Sequence, residues 1–490
     1  MHPILLRIPL PQMPLKLWWG LVAIAVIALL FAGWALRTKD KSGAIGGAVV
    51  AAAAAVGSYV WRDVSFNAPN LPLYSYGVML GLSLVVGWYL TLALAERDGL
   101  PKETMANCYV VTAIAAIVGS RVLYVLTNLG EFNSFGDMFK VRLGGLVAYG
   151  GFLGGFLGSW AYLSSKRIRL LPWADVAVPS LASGLMITRI GCYLFGCDFG
   201  KRLSDDAPSW LKRMGTFPHW AAGTVDNGDG SPAFMRHTEL LKGTPLASTL
   251  MKTNASLPVH PTQIYESLVG LALLVLLLWQ RRTQKFRGQI FFLFVFGYGY
   301  LRFLLEILRD DVERGEYGPT MAEHVLIPGA MLLMSLGFVF GIAVGIQNAA
   351  LRTAARVAAL VPPVVAYVML KPPSFGASIS TQLSTSQWIG LLTACAVSFF
   401  YAHYWNDARK QPRVAMSKES LGPGAVEDST KEAARGREEG EAGDKEDSDA
   451  STEASLEVTR AEAPKPKQKE RDGGDEEGGD EGDGKPAPQA

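Results

Sequence analysis

Apolar residues run along this chain in long unbroken stretches rather than in the short alternations of a water-soluble domain. Eleven stretches approach or reach the length of a bilayer-crossing helix: 17–36, 44–61, 74–94, 108–127, 146–163, 173–195, 265–279, 289–308, 324–346, 354–370 and 387–405. About 18 apolar residues suffice to cross the hydrocarbon core as a helix. In water such runs would demand a core larger than 490 residues can build. In lipid each helix satisfies its own backbone hydrogen bonds. The pattern predicts an all-α polytopic membrane protein. The first run, Leu17–Leu36, is longer than the apolar part of a cleaved signal, and no small-residue cleavage site follows before Arg37, so it is expected to remain as a helix.

Charge adds an orientation and a boundary. Arg37, Lys39 and Lys41 follow the first run, and Lys166, Arg167 and Arg169 follow the fifth. Arg281, Arg282, Lys285 and Arg287 follow the seventh, Arg352 and Arg356 follow the ninth, and Arg409, Lys410 and Arg413 follow the eleventh. If eleven spans alternate, all five groups share one side, which the positive-inside rule makes the cytoplasm. The N-terminus and the long 197–264 loop, with His219 and His237, then lie outside, the loop as a small head. Residues 411–490 hold 22 of the 44 acidic and 12 of the 46 basic residues, a net charge of −10. Such a segment, poor in aromatics, is expected to be a disordered acidic tail. The cysteines Cys108, Cys192, Cys197 and Cys395 form no C-x-x-C pair and no zinc-type spacing, so they read as free thiols.

Candidate chemistry comes from charges inside the spans. Arg121 sits in the fourth, Arg189 near the end of the sixth, Glu266 opens the seventh, and Arg302, Glu306 and Arg309 share one face of the eighth. Such residues are costly in lipid and face the bundle interior. The bland reading of Arg302 with Glu306 is an ion pair locking helices together. A cluster of arginines drawn from separate helices instead suits a phosphate, because the planar guanidinium fork matches phosphate oxygens. Residues 144–155 hold six glycines, which suits close helix packing and, beside Tyr149, backbone approach to a headgroup. In the stretch His260–Glu266, Pro261 fits a first helical turn, with His260 and Gln263 at the interface.

Together these segments resemble the prolipoprotein diacylglyceryl transferase family. The resemblance rests on Leu73–Gly77; Gly119–Ser120–Arg121 with Tyr124; the Gly-Gly-Leu-x-x-Tyr-Gly-Gly run at 144–151; Trp173, Asp175 and Pro179 before Thr188–Cys192; His260–Glu266; and Tyr300–Phe303 with Glu306. It covers about 74–346 in order, with two additional helices on either side: residues 1–73, a seven-helix core at 74–346, residues 347–410, then the tail.

The resemblance implies transfer of diacylglyceryl from phosphatidylglycerol to the lipobox cysteine of a prolipoprotein signal segment, with glycerol-1-phosphate leaving. It implies a bacterial cytoplasmic (inner) membrane, no metal or soluble cofactor, and no nucleic-acid partner. It gives Arg302 and Tyr149 catalytic roles. Arg189, Arg121, His260, Gln263, Glu266 and Glu306 become substrate-binding groups, Glu266 and Glu306 by orienting the arginines. Arg121 is expected to lie farther from the outer leaflet than Arg189 and Arg302. The family signature departs here: Thr188 replaces a Gly, Cys192 and Phe195 replace Asn, and Cys197 replaces a Glu, with Asp198 one place late. The ninth span has Glu323 and His324 where a Gln is usual. The competing reading is a lipid-binding or lipid-transporting protein on the same scaffold, in which Arg189 and Arg302 pair separately.

Overall fold

The computed structural model describes residues 3–430 except 10–14, 38–40, 67–69, 133–135, 137, 139–144, 221–229, 311–314, 373–378 and 429. Lys39, Gly144 and the acidic stretch beyond 430 lie outside the described residues. The long helices are α1 (Leu17–Arg37), α2 (Lys41–Val60), α3 (Ser75–Arg97), α4 (Lys102–Thr127), α5 (Ala148–Ser165) and α6 (Leu170–Phe195). Three short helices, α7 (Ser209–Met214), α8 (Pro232–Leu240) and α9 (Pro245–Thr253), precede α10 (Thr262–Arg281) and α11 (Gln289–Glu306). Then come α12 (Glu323–Phe340), α13 (Ala349–Ala359), α14 (Val361–Leu370), α15 (Thr385–Lys410) and α16 (Pro412–Ala415). The all-α polytopic expectation is met.

Nine stretches among the described residues are long and apolar enough to cross a membrane: α1, Gly43–Val60 of α2, α3, α4, α6, α10, α11, Glu323–Gly345 and Ala349–Leu370. The run at 354–370 is not one helix but the end of α13 followed by α14, broken at Leu360, where Pro362 and Pro363 follow. Helices α5 and α15 fall short on hydropathy, being rich in Gly, Ser and aromatics, yet each runs the length of the bundle. Tyr149 at the start of α5 and Ser386 at the start of α15 are hydrogen-bonded to each other, at one end. At the other end, Leu163 near the close of α5 packs with Leu421, and Tyr401 of α15 packs on Phe286, between α10 and α11. With these two, eleven long helical segments lie side by side among the described residues, nine of them apolar enough to cross a membrane. Large apolar side chains on the outer faces, such as Ile27, Val275 and Phe399, are exposed, as lipid contact requires.

The first end carries loops with some backbone pairing of their own. The strands β1 (Ile4–Pro9) and β4 (Asn70–Tyr74), β2 (Leu15–Lys16) and β3 (Ser65–Phe66), and β5 (Glu316–Ala322) and β6 (Ser380–Ser384) form three antiparallel ribbons. They satisfy backbone groups that the helices leave open. The segment between α6 and α10 also sits here, around a small core of Phe199, Phe217, Ala233 and Val259.

The opposite end is locked by charge. Asp98 receives Arg281 and Arg287, each at 2.7 Å. Asp175 of α6, fully buried, accepts from the backbone N–H of Gly288 at 2.6 Å and Phe291 at 2.9 Å, so it caps the start of α11 from another helix. The composition shift at residue 411 does not end the packed chain, which corrects that boundary. Leu421 and Ala425 are buried against Leu94, Met105, Leu163 and Trp173, and Leu421 O accepts from Arg169 N at 2.9 Å. Thr104 Oγ1 donates to Asp428 at 3.0 Å. A few apolar residues within an acidic segment suffice to dock it.

Candidate active site

The site is assembled at the first end by α6, α10, α11 and the turns that follow α6 and α11. Helix α6 stops at Gly196, whose φ of 80° is left-handed, and a Cβ there would stand 3.0 Å from the Phe217 ring. Asp198 is also left-handed, with φ of 55°, a conformation Asp tolerates. The chain doubles back, and the Asp198 carboxylate meets the helix it has just left: Arg189 Nη1 lies 2.5 Å away. Its other oxygen takes Arg309 Nη2 at 2.6 Å. Burial alone would raise this carboxyl's pKa, but the Arg189 and Arg309 guanidiniums outweigh it and hold the group at about 2.

Helix α10 supplies the centre. Pro261 precedes its first residue, Thr262, whose hydroxyl donates to Asp198 O at 2.6 Å. Gly270 permits close approach to α6, since a Cβ there would lie 2.6 Å from Met186 N. Glu266, 4% exposed at its side chain, thereby reaches arginines from two helices: Oε2 pairs with Arg189 and Oε1 with Arg302. Arg309 adds a longer contact to Oε1 at 3.4 Å. Arg302 also holds Glu306, one turn along α11, at 2.7 Å.

Three guanidiniums and three carboxylates thus form one continuous network. Among the described residues nothing accepts from Arg189 Nη2 or Arg302 Nε. An arginine has five N–H donors, so both keep capacity for an anionic ligand. Cys192, Cys197 and Asp198 bring potential metal-ligand atoms within 4.8 Å of one another. Both Asp198 oxygens are engaged by arginines, however, and Arg189 Nη1 also points at Cys192 Sγ, 3.7 Å away. A cation there would face a guanidinium, so the arrangement suits an anion.

The other sequence-derived residues take varied places. Tyr149, in the first turn of α5, donates to Ser386 Oγ at 2.8 Å, and Arg302 Nη2 donates to the same oxygen at 3.4 Å. Gln263 is fully buried and donates to Cys197 O, bracing the turn that carries Asp198. His260 lies outside the network, its Nδ1 3.4 Å from Tyr265 Oη, and burial lowers its pKa. Arg121 bonds instead to Met138 O at 2.8 Å and Gly145 O at 3.0 Å, with its guanidinium over the Tyr124 and Phe132 rings. It stands in the last third of α4, at the same end as the network, which corrects its expected depth. Sequence reasoning left Asp198, Arg309 and Ser386 out of the site. Asp198 was visible as a displaced acid and Arg309 as a third charge on one helical face, while Ser386 carried no signal. A cavity of about 550 Å³ at the opposite end, near Lys285, Arg352 and Trp405, contains none of these groups.

The model of the prolipoprotein diacylglyceryl transferase family matches residues 63–350, more than half of the chain. The chain belongs to that family. Relatives named phosphatidylglycerol–prolipoprotein diacylglyceryl transferase agree. The Thermus thermophilus protein is 33% identical over 236 residues, 47% of this chain and 77% of its own. Those of Clostridium tetani and Psychrobacter arcticus are 27% and 28% identical, covering 51% and 56% of this chain and 86% and 92% of theirs. This diacylglyceryl transferase family member is therefore a multi-pass membrane enzyme of lipoprotein biosynthesis. The matched stretch includes Arg121, Tyr149, Asp198 and the whole arginine–carboxylate network, and it ends before α15.

Proposed function

We propose that the chain transfers diacylglyceryl from phosphatidylglycerol to the lipobox cysteine of a prolipoprotein, releasing glycerol-1-phosphate. The observation that carries this reading is the meeting of Arg189 and Arg302 on one carboxylate, Glu266. Two arginines from different helices, each with unused donors, form a seat for one phosphate. The incoming thiol, with an ordinary pKa of about 8.5, reacts as its thiolate. Sulfur attacks the glycerol carbon that bears the phosphate. The C–S bond forms as the C–O bond breaks, and the electron pair leaves with the phosphate oxygen. Arg302 and Arg189 stabilise that oxygen's charge. Tyr149, through its hydroxyl, orients the headgroup. Glu266 and Glu306 hold the guanidiniums in place before the lipid arrives.

The seat lies at the end of the bundle opposite the described members of the five basic groups, which supports an outer-leaflet site in a bacterial cytoplasmic membrane. The N-terminus and head are then outside, and residues beyond 411 inside. One observation favours a second reading, lipid binding without catalysis: the network's three positive and three negative groups balance. Complementation of a bacterial strain depleted of its own transferase separates the two. Restored growth and thioether-modified lipoprotein are expected. Normal membrane insertion with no modified lipoprotein would favour the second reading.

A further inference from the structure

Helix α15 lies beyond the stretch that matches the family, yet it forms a wall of the site. It packs along α11, where Gly390 approaches Gly299 so closely that a Cβ on Gly390 would stand 2.9 Å from Gly299 O. Its start is rigidly fixed. Ser384 and Gln387 form a capping box, with Ser384 Oγ accepting from Gln387 N at 3.2 Å and Gln387 Oε1 accepting from Ser384 N at 2.9 Å. Thr385 N donates to Gly315 O at 2.9 Å, and β6 pairs with β5 just before the helix begins. Ser386 sits inside this clamped turn.

A serine hydroxyl offers two acceptor lone pairs and one donor proton. Both lone pairs of Ser386 are committed, one to Tyr149 Oη at 2.8 Å and one to Arg302 Nη2 at 3.4 Å. These partners come from α5 and α11, and neither meets the other directly by a hydrogen bond. We infer that Ser386 is a positioning residue for transfer, fixing the Tyr149 hydroxyl and one arm of Arg302 in register through a single oxygen. The inference rests on the transferase reading above. It makes the segment after residue 350 part of the catalytic unit rather than an appendage.

The experiment measures kcat and KM for phosphatidylglycerol in the full-length protein, reconstituted in nanodiscs with a lipobox peptide. Ser386→Ala should lower kcat about tenfold with KM within twofold, because two donors lose their shared acceptor. Ser386→Thr keeps the hydroxyl and should retain most of the rate. In a Tyr149→Phe background, Ser386→Ala should cost markedly less, as coupled groups do. Full activity of Ser386→Ala, or equal loss in Ser386→Ala and Ser386→Thr with additive effects, would overturn the inference and leave the transferase reading standing. Absence of transfer by the unaltered protein would instead defeat that reading itself.

Discussion

Arg189 of α6 and Arg302 of α11 are joined through one carboxylate, Glu266, which gives each of them a different oxygen. Two guanidiniums held this near one another in a poorly solvated place would repel. The shared acid offsets that repulsion and fixes their spacing before any ligand binds. A pair formed separately on each helix would lock the helices equally well, but would not bring two sets of free N–H groups to a common point.

Arg302→Lys should behave as a drastic change. One ammonium cannot span Glu266, Glu306 and Ser386 as the planar fork does. Turnover should fall about ten- to a hundredfold while the protein still inserts and folds. Steady-state transfer kinetics, normalised to protein in the membrane, check this, and a rate within twofold of the parent would contradict it.

Arg121→Gln should be milder than a loss of Arg302, for a structural reason. Its guanidinium holds Met138 O and Gly145 O, in the connection leading to Tyr149. Looser backbone there should raise hydrogen exchange around 145–149 and lower transfer by no more than about tenfold. Unchanged exchange with a complete loss of transfer would place Arg121 in the chemistry instead.

The docked segment after α16 makes truncations informative. From composition, a chain ending near 415 should work normally. Leu421 is 1% exposed and Ala425 0%, so ending at 415 should cost about 2 kcal/mol of stability, roughly the burial of one leucine. Ending at 430 should cost almost nothing. Thermal unfolding of the two truncations reads the difference, and identical midpoints would show that the docking contributes no stability.

Asp198 gives a pH dependence of known sign. Its folded pKa of about 2 lies below its ordinary 3.8, so its pairing stabilises the fold fully above that ordinary value. The contribution is lost as pH falls from about 4 to about 2. The stability gap between the parent and Asp198→Asn should be constant from pH 7 to 5 and close below pH 4. A gap that widens on acidification would reverse the assignment.

Nine of the eleven expected spans were legible because apolar run length depends little on tertiary context. Helices α5 and α15 were found from runs that hydropathy alone undervalues, since their Gly, Ser and Tyr face other helices rather than lipid. The core arginines and glutamates were legible because a charge inside an apolar run stands out. Asp198 and Arg309 were harder to place because each sits just past a helix end, and their inward direction is set by the turn at Gly196 and by the chain after Glu306. Ser386 was invisible: a serine in a helix's first turn is ordinary, and its partners are 84 and 237 residues away. The ribbons and the docked tail were missed because each is a few residues held by long-range pairing.

The central claim is that Arg189 and Arg302 hold one lipid phosphate during transfer. The direct measurement follows labelled diacylglyceryl from phosphatidylglycerol to a lipobox peptide, comparing Arg189→Gln and Arg302→Gln with the parent at matched membrane levels. Losses on the order of a hundredfold or more are expected in each, with turnover affected more than lipid affinity for Arg302. Near-parental transfer by both variants would contradict it.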